Sequence, residues 1–206
     1  IAQSSGKLFI TSKSYYSSEY ARALAVSTDE GTTWSMLNHS PGGYIYHIDF
    51  TTDNKGAVIG QEGIFKTEDN GLTWNAMVTD LTNIADMHFI DNNVVLLVSD
   101  GNIYKSTDGG TTTRIVLTTE QIGQYLPAGK LYATPDNTLF SVSWYAIYRS
   151  DDQGETWEMI SLNPGYYTQG MHFISSAIGY RVELFGSIEK TTDSGKTWVE
   201  IFTRDP

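Results

Sequence analysis

The sequence predicts an all-β chain, a β-propeller of about five four-stranded antiparallel blades. Three observations lead there: one eight-residue pattern occurs five times, its copies are about forty residues apart, and the segments between them read as short strands.

The pattern reads Ser/Thr-x-Asp-x-Gly-x-Thr-Trp. Its copies are Ser27–Trp34, Thr67–Trp74, Ser106–Thr113, Ser150–Trp157 and Thr191–Trp198, with starts separated by 40, 39, 44 and 41 residues. One blade of four strands needs about that length. Blades are expected at approximately 1–40, 41–80, 81–118, 119–162 and 163–206, as a single domain over 1–206.

Within each copy the residue types suit a tight turn between two strands. Asp29, Asp69, Asp108, Asp152 and Asp193 are expected to accept hydrogen bonds from N–H groups two or three residues ahead, with the glycine at positive φ. Trp34, Trp74, Trp157 and Trp198 open the next strand and are expected to be largely buried. In the third copy Thr113 stands in place of the tryptophan.

Other strands follow by reading outward from each turn. Leu24, Ile64, Ile103, Ile147 and Ile188 hold one equivalent position three residues before the pattern, and Lys66, Lys105, Arg149 and Lys190 directly precede it in four copies. Further upstream lie Ile48-Asp49-Phe50, Met87-His88-Phe89-Ile90, Leu131-Tyr132-Ala133 and Met171-His172-Phe173-Ile174. Apolar runs such as Val94–Val98 and Leu139–Val142 lie in between. That makes four strands per unit. Helical periodicity is confined to a weak patch near Glu120–Tyr125, and Ile1–Gln3 can form a short first strand of the first blade.

These residues resemble a known family. The pattern is similar to the Asp box, or bacterial neuraminidase repeat, of sialidases, sortilin-type receptors, some endoglucanases and photosystem II assembly-factor-like propellers. Segments such as Gly60–Thr67 and Gly101–Ser106 look most like the assembly-factor-like group. That group usually has more blades than the five visible here, so a compact ring and part of a larger one both stay open. The resemblance implies a secreted or periplasmic protein.

Composition narrows the function. Thirteen basic against 24 acidic residues give a net charge of −11, which disfavours nucleic acid and other anionic partners. Cysteine is absent, which removes disulfides and thiolate chemistry, and no run approaches the ~20 apolar residues of a spanning helix. The chain opens on Ile1-Ala2-Gln3-Ser4, so any export signal is expected to have been removed or never to have existed. Neither membrane insertion nor a cofactor is expected.

An identical carboxylate in every blade serves a need that every blade shares, so the five aspartates read as structural and not catalytic. Sialidases use three convergent arginines and an Arg-Ile-Pro segment; here only Arg22, Arg114, Arg149, Arg181 and Arg204 occur, and no Arg-Ile-Pro. An endoglucanase-like glycoside hydrolase needs only two placed carboxylates, and Glu19, Glu62, Asp100, Glu120 and Glu183 fall in loops at the blade ends opposite the boxes. His88 and His172 share one blade position with Asp49, which allows a metal reading; hydrogen-bonded core histidines are the simpler one, and no metal site is expected.

The same loop face collects aromatics. The enlarged loops Ser12–Tyr20, Asn38–Tyr44, Thr118–Lys130 and Ser161–Gly170 differ between blades, and differences, unlike repeats, mark function. A ligand site is expected there, with Tyr16, Tyr44, Trp144, Tyr145 and Tyr167 stacking and Gln61, Glu62 and Glu183 orienting a polar group. The expected role is non-enzymatic recognition of a glycan or of a protein or peptide partner. The row Lys66, Lys105, Arg149 and Lys190 offers a second, box-side candidate surface.

Overall fold

The computed structural model describes residues 2–11, 24–37, 45–51, 53–77, 79–118, 128–143, 146–162, 168–184 and 186–203. Among them lie twenty strands and no helix, so none is long and apolar enough to cross a membrane. The fold is a β-propeller of five four-stranded antiparallel blades.

The first blade is β1 (Ala2–Ser4), β2 (Lys7–Thr11), β3 (Leu24–Ser27) and β4 (Ser35–Met36). The second is β5 (Ile45–Phe50), β6 (Gly56–Gly60), β7 (Gly63–Thr67) and β8 (Asn75–Met77). The third is β9 (Ile84–Phe89), β10 (Val95–Ser99), β11 (Asn102–Ser106) and β12 (Arg114–Leu117). The fourth is β13 (Lys130–Ala133), β14 (Leu139–Val142), β15 (Ala146–Ser150) and β16 (Glu158–Leu162). The fifth is β17 (Thr168–Phe173), β18 (Gly179–Glu183), β19 (Ile188–Thr191) and β20 (Val199–Phe202). Each sheet keeps sequence order, and β1 pairs with β2 through Ala2↔Phe9, the expected short first strand.

The burial pattern explains the sequence of each strand. Second strands β6, β10 and β14 are buried at every residue and accordingly carry apolar or small side chains on both faces. Fourth strands are edges; β20 is exposed throughout. The equivalent aliphatics Leu24, Ile64, Ile103 and Ile147 are each at most 2% exposed.

By internal contacts the chain forms two compact units, Ile1–Val95 with Ser106–Thr113, and Leu96–Lys105 with Arg114–Pro206. The two units contain the same packing motif. In the first, Phe9 stacks on Phe50 at 4.5 Å between centroids, and Phe50 meets Trp74 edge-on at 6.3 Å. In the second, Phe140 stacks on Phe173 at 5.0 Å, and Phe173 meets Trp198 edge-on at 6.1 Å. A second-strand phenylalanine of one blade is thus joined to the box tryptophan of the next through a first-strand phenylalanine.

The tryptophans are less buried than expected. Trp34 is 38% exposed, and Trp74, Trp157 and Trp198 are half-buried. The indole lies against its own turn, where the N–H of Trp34, Trp74 and Trp198 donates to the carbonyl of Gly31, Gly71 and Gly195 at 3.0–3.2 Å. That bond holds one side of the ring near solvent.

Candidate functional site

Each box is a closed hydrogen-bond circuit. The Ser27 hydroxyl donates to Asp29 Oδ1 at 2.7 Å and accepts the N–H of Asp29 and of Gly31. Asp29 Oδ1 accepts the Thr33 N–H at 2.8 Å, and Oδ2 accepts the Thr33 hydroxyl at 2.6 Å. The same bonds recur around Asp69, Asp108, Asp152 and Asp193. The aspartate therefore reaches four residues ahead, not two or three, because two consecutive left-handed residues intervene: Glu30-Gly31, Asn70-Gly71, Gly109-Gly110, Gln153-Gly154 and Ser194-Gly195 all have positive φ.

The threonine bonds hold the carboxyls of Asp29, Asp69, Asp108 and Asp193 at about 2. At Asp152 burial pushes upward most strongly, yet the Thr156 bonds still bring it to about 2. Both carboxylate oxygens are occupied by the turn. None of the five is poised as an acid or base.

The residue before the box locks neighbouring blades together. Lys105 Nζ donates to the Gln153 carbonyl of the next box and to Glu155 Oε1, both at 2.8 Å, and Arg149 Nη1 donates to the Ser194 carbonyl at 2.9 Å. Lys66 reaches the same box position in the third blade, where a Cβ on Gly109 would lie 3.2 Å from its ammonium. In the first blade Val26 stands before the box, and Lys7 of β2 supplies the bond instead, donating to the Asn70 carbonyl at 3.4 Å. Lys105 and Arg149 are buried in these joints, so the row of cations expected on the box side is not a free surface. Lys190 lies 5.8 Å from the Tyr180 ring.

First strands of the second and third blades carry a feature that the sequence reading passed over. His47 Nδ1 lies 2.6 Å from Asp86 Oδ1, and His88 Nδ1 lies 3.1 Å from Asp49 Oδ2. Asp49 also accepts the N–H of Phe50 and of Phe89. Asp86 stands three residues before Phe89, as His47 does before Phe50, so the two strands carry His-x-Asp and Asp-x-His in the same register. That reciprocal exchange was visible in the sequence and is the signal that would have found the pair. Burial opposes protonation of His47, but the Asp86 bond and charge outweigh it and its pKa is raised. Among the described residues no group of three or more His, Asp or Glu is arranged to hold a metal, and His88 is committed to Asp49.

Of the expected ligand residues, Tyr16, Tyr44, Trp144, Tyr145 and Tyr167 lie outside the described residues, as does most of each enlarged loop and the segment near Glu120–Tyr125. Gln61 and Glu62 are exposed in the turn between β6 and β7, at the opposite end of β7 from its box. Glu183 ends β18 and is 5% exposed, not a solvated loop acid. It accepts the Thr168 hydroxyl at 2.9 Å and faces Arg181 Nε at 3.3 Å, while Arg181 also bonds Glu189. Burial pushes the Glu183 carboxyl up, against the Thr168 bond and the Arg181 charge. Its Oε2 and Arg181 Nη1 are buried without a protein partner.

Five such boxes on five such sheets define an Asp-box β-propeller. The BNR/Asp-box repeat family matches residues 148–159. The chain is 23% identical over 186 residues to the photosystem II assembly lipoprotein Ycf48 of Synechococcus sp. (strain CC9902), covering 87% of this chain and 55% of that protein. It thus spans about half the length of that relative. A structure of YCF48 bound to D1 peptide superposes with a TM-score of 0.62 at 20% identity, over 86% of this chain and 60% of that one. An ancestral GH74 enzyme superposes at 0.70 and 14% identity, over 96% of this chain and 30% of its own.

Proposed function

We propose that this propeller is a non-enzymatic recognition module that holds a protein or peptide partner on the loops at the blade ends opposite the Asp boxes. One observation carries the reading: the residues common to the blades are consumed by the fold. The five aspartates are closed into their turns, and Lys105 and Arg149 are closed into blade joints. Specificity then falls to residues that differ between blades, which are those of the enlarged loops together with Gln61, Glu62 and Glu183. Likeness to a YCF48 structure that holds a D1 peptide supports a peptide partner over a glycan. The acidic chain favours a neutral or basic one, and a lipoprotein relative supports a place outside the cytoplasm.

A second reading has one observation in its favour. Glu183 is a buried carboxyl with a raised pKa, the condition of a general acid, and the fold is shared with a GH74 xyloglucanase from Xanthomonas campestris. The two readings part on one preparation. An array of neutral and basic peptides should retain the protein while xyloglucan is left uncut; cleavage abolished by Glu183→Gln would establish the hydrolase instead.

A further inference from the structure

A blade turns one face toward the box of the blade that follows, and three joints show what that face does. In the first blade Phe9 lies under the next box glycine, where a Cβ on Gly71 would fall 3.0 Å from its ring, and Lys7 donates to the Asn70 carbonyl. In the third, a Cβ on Gly154 would fall 2.9 Å from Leu96, and Lys105 donates to the Gln153 carbonyl. In the fourth, a Cβ on Gly195 would fall 2.7 Å from Phe140, and Arg149 donates to the Ser194 carbonyl.

The fifth blade carries the same face. Tyr180 pairs with Lys190 across β18 and β19 as Phe140 pairs with Arg149 across β14 and β15, and Val182 pairs with Ile188 as Val142 pairs with Ile147. Phe202 of β20 continues the row from Ile188. In the fourth blade Phe140, Val142, Ile147 and Arg149 are all buried. In the fifth, Val182 is 42% and Phe202 53% exposed, and Tyr180 and Ile188 are only half-buried. Lys190 lies over the Tyr180 ring of its own blade. A row of valine, isoleucine and phenylalanine open to water across three strands marks an interface.

The matching half stands on the first blade. Its box presents the Glu30 carbonyl at the place of Asn70, Gln153 and Ser194. A Cβ on Gly31 would meet Leu8 and Trp34 of its own blade, where those on Gly71, Gly154 and Gly195 would meet the blade before. Trp74 and Trp198 pack on the core of the preceding blade, whereas Trp34 is 38% exposed.

We infer that the open face of the fifth blade docks the first blade of a second copy of this chain, head to tail. The Gly31 turn then covers Tyr180, the Glu30 carbonyl accepts from the Lys190 ammonium, and the Trp34 indole lies against the apolar row. Complementarity argues for this occupant: the three joints pair these same two halves, and the chain holds one open half of each kind. Two different surfaces meet, so the interface is heterologous, and copies add in one direction until a ring closes or a filament runs on. It uses the flanks of the blades and not the loop ends proposed above, so either reading can fail alone.

The test is sedimentation velocity over a range of concentrations, on the wild-type chain and two variants. The wild type should pass from monomer to dimer and larger species, with half-association at about 1–100 µM. Val182→Asp breaks the apolar row and Trp34→Ala removes the indole, and each should weaken association tenfold or more. Both positions are exposed in the single chain, so circular dichroism and urea unfolding should show both variants folded. Mixed in equal amounts, the two variants should recover a dimer of wild-type affinity and nothing larger. The mixture holds one intact joint, between the fifth blade of the Trp34 variant and the first blade of the Val182 variant. Association untouched by either variant, or a mixture no better than its components, would overturn the proposal. So would a monomer up to about 1 mM, which would leave the face to a further blade of the same polypeptide.

Discussion

Lys105 Nζ sits 2.8 Å from the main-chain oxygen of Gln153, forty-eight residues along the chain, and joins the third blade to the box of the fourth. The ammonium is nearly enclosed, whereas its second acceptor, Glu155, is 45% exposed. The backbone bond is therefore the part that stabilises the joint. Lys105→Met should cost about 1–3 kcal/mol, since it removes the charged donor of the Gln153 carbonyl, and Glu155→Gln under ~1 kcal/mol. Urea unfolding of the two variants checks the order; equal costs would place the stabilisation in the ion pair.

The box carboxyls set acid stability. All five are held at about 2, below the ordinary aspartate value of 3.8, so their bonds stabilise the fold above that value and are lost as pH falls through about 2. The unfolding midpoint in urea should be flat from neutrality to about pH 4.5 as far as these groups are concerned, and then drop steeply toward pH 2. Asp193→Asn should flatten part of that drop and lower the plateau. An unchanged slope would show that the box is not the acid-labile element.

His47 works in the opposite direction. Its pKa is raised by Asp86, so its contribution is complete below the unfolded value of about 6.5 and fades as pH rises through the higher folded value. The His47 imidazole resonances should titrate above 6.5, and Asp86→Asn should bring the midpoint down. Since Asp86 is itself buried, that variant should also lower stability at pH 6 more than at pH 8.

The indole positions are not equivalent in cost. Trp74 is half-buried against a cluster, so Trp74→Ala should cost about 2 kcal/mol, below the 3–5 kcal/mol of a fully enclosed tryptophan. Sequence symmetry alone makes Thr113→Trp look like a repair. The structure reverses that: Met77 already covers Gly110, and an indole added there must displace it, so Thr113→Trp is expected to be neutral or destabilising and Thr113→Trp/Met77→Ala the better-tolerated pair.

Much of the fold was legible because a repeat states its rule five times. The box, the aliphatic three residues ahead of it and the short first strand near residue 2 fell where the sequence put them. The inter-blade partners were harder to read. Nothing local to Lys105 or Arg149 says that its acceptor is a carbonyl in the following blade, and the same residues looked like an exposed basic row. Lys7 taking over where Val26 lacks a charge is a compensation across strands, invisible to a scan along one strand. The candidate ligand face was legible only as a pattern of difference: Glu183 turned out enclosed by its own strand neighbours Thr168 and Arg181 because a β17–β18 pair places Thr168 opposite it.

The central claim is that the fold consumes the repeated residues and the dissimilar loops recognise a partner. It is tested most directly by the affinity of a peptide retained from the array for the wild-type protein and for the double variant Trp144→Ala/Tyr167→Ala, with urea midpoints measured alongside. The account predicts at least a tenfold weaker dissociation constant in the variant with an unchanged midpoint, about 1.4 kcal/mol or more of lost binding. Equal affinity with both proteins folded would contradict it and move recognition away from the loop face.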